Sequence, residues 1–412
     1  MNEMILIGNA GNRRTTGLQS ARLKLGLPPA LELNYIDVLQ GNISLTSFVE
    51  AHRSRMDNPP ILRLDAPGEH FEVERALIAL GAPDAPHCKD DGLPEYNDEH
   101  RQPISMKNAF AMKEQEGQLY HPSQWFRGYR RLLAQLTREA KSLWREPHWI
   151  NAPEDIAVMF DKRSTHDVLS KAGIPVPRRL GEPEIITDYE MLREHMESRK
   201  MPRIFLKLAS GSGACGVMAY QINPRTGAEL AITTIGVENY MARPPMYYNV
   251  KRLQRYSDKT TIRQIVNWVL RHGAHAEQWV AKTTFRDRAF DVRQLVVNGE
   301  ACHSIARVSS TPITNLHLQS KRMSLEDVGL SDSTQADIRY CAEQVLQVFP
   351  HSNIAGIDIA ISAGAGHPYV LDVNPFGDLL YEVNHQGCST YEWEMMQLIA
   401  EQGASGKKEN IQ

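Results

Sequence analysis

The chain reads as a small parallel α/β unit followed by a larger α+β region. Short apolar runs alternate with helical periodicity over residues 1–80. One long amphipathic helix follows, and the second half then returns repeatedly to alternating strands joined by turns. With 412 residues and about 150 residues per domain, two or three domains share the chain.

In order, residues 4–8 (MILIG) read as a buried strand and Thr16–Gly26 as a helix closed by glycine. Residues 30–39 (ALELNYIDVL) form a second extended run and 61–68 a third, before a helix over Glu72–Leu80 that ends at Gly81. From Asp84 to Gln124 the pattern dissolves, and a loop of that length in a compact domain is functional or mobile. A helix over Trp125–Trp144 carries an apolar stripe of Tyr129, Leu132, Leu133, Leu136, Ala140 and Leu143. Arg127, Arg130, Arg131, Arg138 and Lys141 read as its solvated face. After a boundary near Glu146-Pro147, Ser164–Ala172 reads as a helix with a Ser/Thr cap, stopped by Gly173. Further helices follow around Ile262–Leu270, Ile338–Leu346 and Ser389–Ala400, with a frayed polar tail.

Lys plus Arg total 46 and Asp plus Glu 49, a net charge of −3. That balance argues against a nucleic-acid or anionic-membrane binder that uses its whole surface. The mean hydropathy is −0.41, and no apolar stretch approaches the ~18 residues of a membrane span. The N-terminal segment is too short in apolar residues for a signal peptide. Cys88, Cys215, Cys302, Cys341 and Cys388 lie far apart with no C-x-x-C pair, pointing to a reducing, cytoplasmic compartment without a zinc or disulfide framework.

The chemistry concentrates in three segments. Residues 353–362 and 369–378 form two strands around a turn-rich linker. Ile357, Ile359 and Ile361 share one face and leave Asp358 on the other, while Asp372 and Asn374 share a face of the return strand. Two carboxylates and an amide oxygen make a hard, anionic donor set that suits Mg²⁺. Both aspartates interrupt apolar runs, where an unpaired carboxylate is costly. The second segment, RIFLKLASGSGACGV, places Lys207 on a strand before a Gly/Ser loop over Ala209–Gly216. Glycine lets backbone N–H groups approach phosphate oxygens, although a plain Gly-rich hairpin also fits. Cys215 there reads as a space-filler. The third has Trp279-Val280, then a strand with Asp291 and Arg293 on one face, a turn at Asn298-Gly299 and a return strand with Arg307. An acid there can accept from hydroxyls and a guanidinium can bind phosphate, but in isolation an Asp–Arg surface pair is the better reading of this segment.

Other features have plain readings. Gly8-Asn9-Ala10-Gly11 lacks dinucleotide-binding spacing and reads as a tight turn. His303 and His317 have no zinc-pair spacing, Tyr247-Tyr248 and Trp268 suit core packing, and Lys321-Arg322 suits a solvated turn.

Taken in chain order, the segments resemble the ATP-grasp superfamily, in the branch of the D-alanine–D-alanine ligases, glutathione synthetases and ribosomal-protein glutamate ligases. The similarity spans residues 151–400 and rests on MFDKRSTHDVLSKAGIPVP, FLKLASGSGACGV, EQWV with FDVRQLVV, TPITNLH, and GIDIA with VLDVNPFGD. It implies an α/β N-terminal domain (1–124), a linking helix (125–150), two ATP-grasp subdomains clasping the nucleotide (151–235 with the flap, 236–402 with the metal site) and a tail (403–412). Lys162 and Lys207 resemble the lysines on the α- and β-phosphates. Ser210, Gly211, Ser212, Gly213 and Gly216 resemble the flap over the β- and γ-phosphates. Glu277, Gln278 and Val280 resemble the adenine hinge, and Asp291 the ribose acid. Asp358, Asp372 and Asn374 match the metal ligands, while Arg293, Arg307 and Asn315 fall where substrate and transferred phosphate are gripped. Position 372 is more often Glu in the family, and Gly356 stands where the D-alanine ligases have Arg.

The implied activity is ATP-dependent carboxylate–amine ligation through an acylphosphate, with Mg²⁺ or Mn²⁺. Its partners are small-molecule or peptide carboxylates and amines rather than nucleic acid or membrane, and a homodimer is allowed. A kinase on the same fold and a non-catalytic ATP-binding regulator are the alternatives.

Overall fold

A computed structural model describes residues 3–409 apart from 57, 87–102, 183–184, 212–214, 319 and 379. Ser212 and Gly213 of the expected flap, Cys88 and much of the expected 84–124 loop lie outside the described residues.

Three sheets carry the architecture. The first is parallel: β1 (Met4–Gly8), β2 (Leu31–Asn34), β3 (Ile61–Leu64) and β4 (His148–Trp149), in the order β2-β1-β3-β4. Every residue of β1 is buried, as befits a parallel strand covered on both faces. The second is antiparallel: β5 (Arg203–Leu208), β6 (Val217–Ile222), β7 (Glu229–Glu238), β8 (Met246–Tyr256) and β9 (Ala274–Gln278), ordered β8-β7-β6-β5-β9. The third contains β10 (Thr284–Phe285), β11 (Arg288–Val297), β12 (Glu300–Ser309), β13 (Lys321–Met323), β14 (Ile354–Ile361) and β15 (Pro368–Asn374). Its path is β13-β12-β11-β14-β15, with β10 beside β11.

Each sheet buries one face under helices. Helices Tyr189–Ser198 and Lys259–Arg271 cover the second sheet, where Tyr247 and Trp268 stack at 4.5 Å as core. Helix Asp332–Gln347 covers the third through Ile338, Ala342 and Val345. The long helix Pro122–Leu143 turns its Tyr129–Leu133–Leu136 stripe into the first core. Arg130, Arg138 and Lys141 are exposed, as the solvated-face reading expects, but two of its arginines depart from it. Arg127 and Arg131 are buried, and Arg131 donates to the Leu80 and Ala82 carbonyls.

Three local corrections have physical causes. Residues 30–39 are not one extended run: the strand stops at Asn34, and Tyr35–Leu39 is helical. Tyr35 is driven there by full burial and by donating its hydroxyl to the Asp65 carbonyl. The helix expected from Ser164 starts at Lys162, because Asp161 caps it by accepting from the Arg163 N–H at 2.9 Å. The C-terminal helix Thr390–Glu409 packs on Arg13–Lys24 of the first unit, locked by a buried Arg63–Glu394 pair at 2.8 Å. The two ends of the chain therefore build one layer. Among the described residues the four cysteines are free, and no helix is long and apolar enough to cross a membrane.

Candidate active site

A cleft opens between the second and third sheets. Four cations line it (Lys162, Lys207, Lys282, Arg307), as do four carboxylates (Glu277, Asp291, Asp358, Asp372). The apolar side chains of Phe205, Val217, Val280, Ile313 and Leu371 complete its wall.

Strand register puts the charges there. Asp358 faces Asp372 across the β14–β15 hairpin and Arg293 on its other side across β11, while Asp291 faces Arg307 across β11–β12. Directly opposed residues point to the same face of a sheet, so one face of the third sheet holds alternating acids and bases. The Arg307 Nε donates to Asp291 Oδ1 at 2.8 Å, and its Nη2 lies 3.0 Å from Asp358 Oδ1. Arg293 Nε lies 2.9 Å from the same Asp358 oxygen and 3.3 Å from Asp378, and its Nη1 donates to the Gly356 carbonyl. A Cβ at Gly356 would stand 3.0 Å from that Nη1. Glycine there makes room for the crossing guanidinium.

The second sheet supplies the opposite wall. Lys207 Nζ reaches across the cleft to the Leu371 carbonyl at 3.1 Å and pairs with Glu277 Oε1 at 2.5 Å. Burial opposes the Lys207 charge, but Glu277 and then Asp372 outweigh it and raise the pKa. Burial alone would raise the Glu277 pKa; Lys207 and His275 overcome it and bring the carboxyl down to about 2. Lys162 Nζ lies 3.2 Å from Asp372 Oδ2 and donates to the Gly211 carbonyl at 3.0 Å, tying the start of the flap to the acidic hairpin. Gly216 closes the flap at φ +67°, where a Cβ would strike Leu208 at 2.3 Å.

No family model matches the sequence, and no curated protein matches it. Solved structures align along almost all of it. The ATP-grasp ligase PsnB, complexed with a phosphomimetic variant of a minimal precursor, Mg and ADP, is 13% identical, with 96% of this chain and 97% of that one covered and a TM-score of 0.52. The chain has the ATP-grasp fold. D-cycloserine synthetase DcsG aligns at 12% identity over 96% and 98% of the two chains with a TM-score of 0.50. The ADP complex of PurK, an N5-carboxyaminoimidazole ribonucleotide synthetase, aligns at 9% over 96% and 76% with a TM-score of 0.51.

Within the ATP-grasp fold, Lys162, Lys207, Gly211, Glu277, Gln278, Val280, Asp291, Arg307, Asn315, Asp358 and Asp372 all line the one cleft. The polar groups of several are engaged within the protein. The Glu277 side chain is turned inward onto Lys207 and His275, which leaves the hinge its backbone groups. The Gln278 N–H is taken by the Arg178 carbonyl at 2.8 Å. Asp291 is 1% exposed, and both oxygens are engaged, by Arg307 on one and by Lys282 and Thr314 on the other. Its carboxylate anchors the buried cations Arg307 and Lys282. The Asn315 side-chain oxygen accepts from the His317 N–H at 2.9 Å and so holds a local turn. Arg293 and Asn374 are not among the residues that line the cleft, and the Asn374 amide donates to the Gly356 carbonyl at 3.0 Å. Ser210 is buried and bridges to Asp161. Cys215 lines the cleft, and burial pushes its thiol up to about 12, the opposite of a nucleophile's tuning.

Lys282 and Thr314 escaped the sequence reading. Lys282 lies two residues beyond Val280, and its Nζ sits 3.0 Å from Asp291 Oδ2 and 2.6 Å from Thr314 Oγ1. Burial lowers its pKa, against the pull of Asp291. Its only signal was its place after the short apolar run Trp279-Val280.

The Lys207–Glu277 pair has a pH signature. The folded-state pKa of Glu277 is depressed from its ordinary 4.5 to about 2, so its stabilisation is fully present above pH 4.5 and fades as pH falls through that window. Glu277→Gln costs about 2 kcal/mol at pH 7, the worth of a charge-assisted buried hydrogen bond. The gap to wild type narrows between pH 4.5 and 3 in urea unfolding; a constant gap refutes the pairing.

Proposed function

We propose that the protein is an ATP-dependent carboxylate–amine ligase acting on amino-acid or peptide-like substrates through an acylphosphate. One observation carries the reading. Lys162 and Lys207 converge on the Asp358–Asp372 hairpin within a single cleft, where an apolar wall stands beside the charges. The wall suits an adenine ring. With the Gln278 N–H engaged, base recognition falls to the Gln278 carbonyl and the Val280 backbone.

The charge balance supports a metal partner as well. Four cations against four carboxylates leave the cleft near neutral, so a triphosphate brings uncompensated negative charge. Asp358 and Asp372, the two expected ligands that line the cleft, offer the hard oxygen donors that Mg²⁺ takes and would hold it. When bound, Mg²⁺ neutralises charge on the phosphate oxygens.

The chain's own residues supply the rest. Lys162 and Lys207 hold the α- and β-phosphates, and backbone amides of the flap cover the β- and γ-phosphates. Arg307, fixed between Asp291 and Asp358, faces the transferred phosphoryl group and the developing oxyanion. The substrate carboxylate takes the γ-phosphoryl group as ADP leaves. The amine then attacks the acyl carbon, releasing phosphate and forming the amide. Closure of the flap excludes water, which otherwise hydrolyses the acylphosphate.

The test incubates protein, ATP and Mg²⁺ with pools of amino acids and peptides and follows ADP and free phosphate. Phosphate release that needs both a carboxylate and an amine supports the ligase. Phosphorylated product formed without amine means a kinase, and nucleotide binding without ADP formation means a regulator. In the same assay Cys215→Ala keeps at least about half of wild-type turnover, as expected of a protonated thiol with no chemical role; a loss of about 100-fold contradicts the space-filling assignment.

A further inference from the structure

We infer that His275 is a positioning residue for both phosphate lysines: it holds Glu277 against Lys207 and braces, through His166, the helix that begins at Lys162. The inference rests on the nucleotide reading of the cleft.

His275 lies on β9 of the second sheet, beside β5, and is 2% exposed. Its Nε2 lies 3.0 Å from Glu277 Oε2, while the other oxygen of that carboxylate takes Lys207 at 2.5 Å. The carboxylate is therefore shared: the imidazole fixes one oxygen and the ammonium uses the other. Without the imidazole donor, Glu277 is free to rotate, and Lys207, which pairs across the sheet with His275 itself, loses the aim that carries Nζ to the Leu371 carbonyl. Burial lowers the His275 pKa even though Glu277 pulls it up, so the ring is a neutral donor through Nε2.

The ring also meets His166, with centroids 5.0 Å apart and planes tilted by 49°. His166 belongs to helix Lys162–Lys171, one turn after Lys162, and is itself fixed by its Nε2 contact with the Pro177 carbonyl at 2.9 Å. Both imidazoles line a small second cavity behind the cleft, with Lys162, Glu277 and Asp372 as its charged groups. Neither Nδ1 has a hydrogen-bond partner among the described residues. One buried side chain thus touches the supports of both cations. A donor that orients a charged ligand-binding group acts on affinity without touching the ligand, as outer partners of metal ligands do.

The experiment measures binding of ADP and of adenosine to wild type, His275→Leu and His275→Gln. Leucine keeps the volume and removes the donor, whereas glutamine puts an N–H donor near the Nε2 position. Expected for His275→Leu is an ADP Kd about tenfold higher, the scale of one hydrogen bond to a charged group, with adenosine affinity unchanged. His275→Gln stays within about threefold of wild type for both. Equal ADP affinity in His275→Leu and wild type, or equal losses for ADP and adenosine, overturns the inference while leaving the nucleotide reading intact. A wild-type protein that binds no ADP overturns the nucleotide reading itself. If His275→Leu does not fold, His275→Asn, whose amide is too short to reach Glu277, replaces it and is judged by the same split.

Discussion

Asp372→Ala leaves a folded protein whose turnover falls by about 10³-fold, ~4 kcal/mol of lost transition-state stabilisation. The two halves of this expectation come from different properties of the same side chain. Asp372 is about a quarter exposed, and its side-chain partners are Lys162 at 3.2 Å and the adjacent Val373 N–H. An ion pair of that exposure is worth no more than about 1 kcal/mol, so urea unfolding of the variant stays close to wild type. Its position is the sensitive property. It faces Asp358 across the hairpin and lines the cleft beside Lys162 and Lys207. Asp358 is a poorer probe, because it is buried against Arg293 and Arg307, and its loss also leaves two guanidinium groups short of a partner. A second readout needs no knowledge of the substrates. Mg²⁺ tightens ADP binding in wild type, and that increment disappears in Asp372→Ala. A variant with full turnover, or with the Mg²⁺ increment intact, removes Asp372 from the metal site.

The acidic hairpin was the most legible part of the sequence because it obeys strict alternation. Once the turn is placed, period-two parity fixes which residues share a face, and Asp358 does meet Asp372. Parity says nothing about what lies on the far side of a strand. For Arg293 and Asp291 the residues alone favour an Asp–Arg pair and only the resemblance implied ligand contacts; register gives each a cross-strand partner of opposite charge. For Glu277 the resemblance implied only a place in a hinge that meets adenine largely through the Gln278 and Val280 backbone, and the adjacency of β5 and β9 is what reveals that Lys207 and His275 claim both oxygens of its side chain. Lys282 stayed invisible because a lone lysine beyond a two-residue apolar run carries no periodicity. Its meaning comes from Thr314, which is 32 residues away. At the level of fold, short-range propensity failed where tertiary burial dominates. Tyr35 starts a helix inside a β-branched, aromatic run, and the last helix packs on the first one across nearly the whole length of the chain.

Arg307→Met destabilises the protein by about 4 kcal/mol at pH 7, the cost of removing one partner from a buried ionic cluster. Arg307 is 3% exposed and serves two carboxylates at once, which together drive its own pKa up against burial. After substitution, Asp291 keeps Lys282 and Thr314, whereas Asp358 keeps only the Arg293 contact on the oxygen that Arg307 shared. The uncompensated charge therefore falls mainly on Asp358, whose pKa burial already holds above its ordinary 3.8 in wild type. A carboxyl with a raised folded-state pKa destabilises while it is ionised, and that penalty is relieved as pH falls through the folded pKa. The stability gap between wild type and Arg307→Met accordingly narrows from pH 7 toward pH 4. Adding Asp358→Asn, which removes the stranded charge but keeps the shape, recovers about half of the loss in a double-mutant cycle without restoring turnover. A gap below about 1 kcal/mol at pH 7, or one that widens on acidification, means that the cross-strand lattice of the third sheet is not what sustains these buried charges.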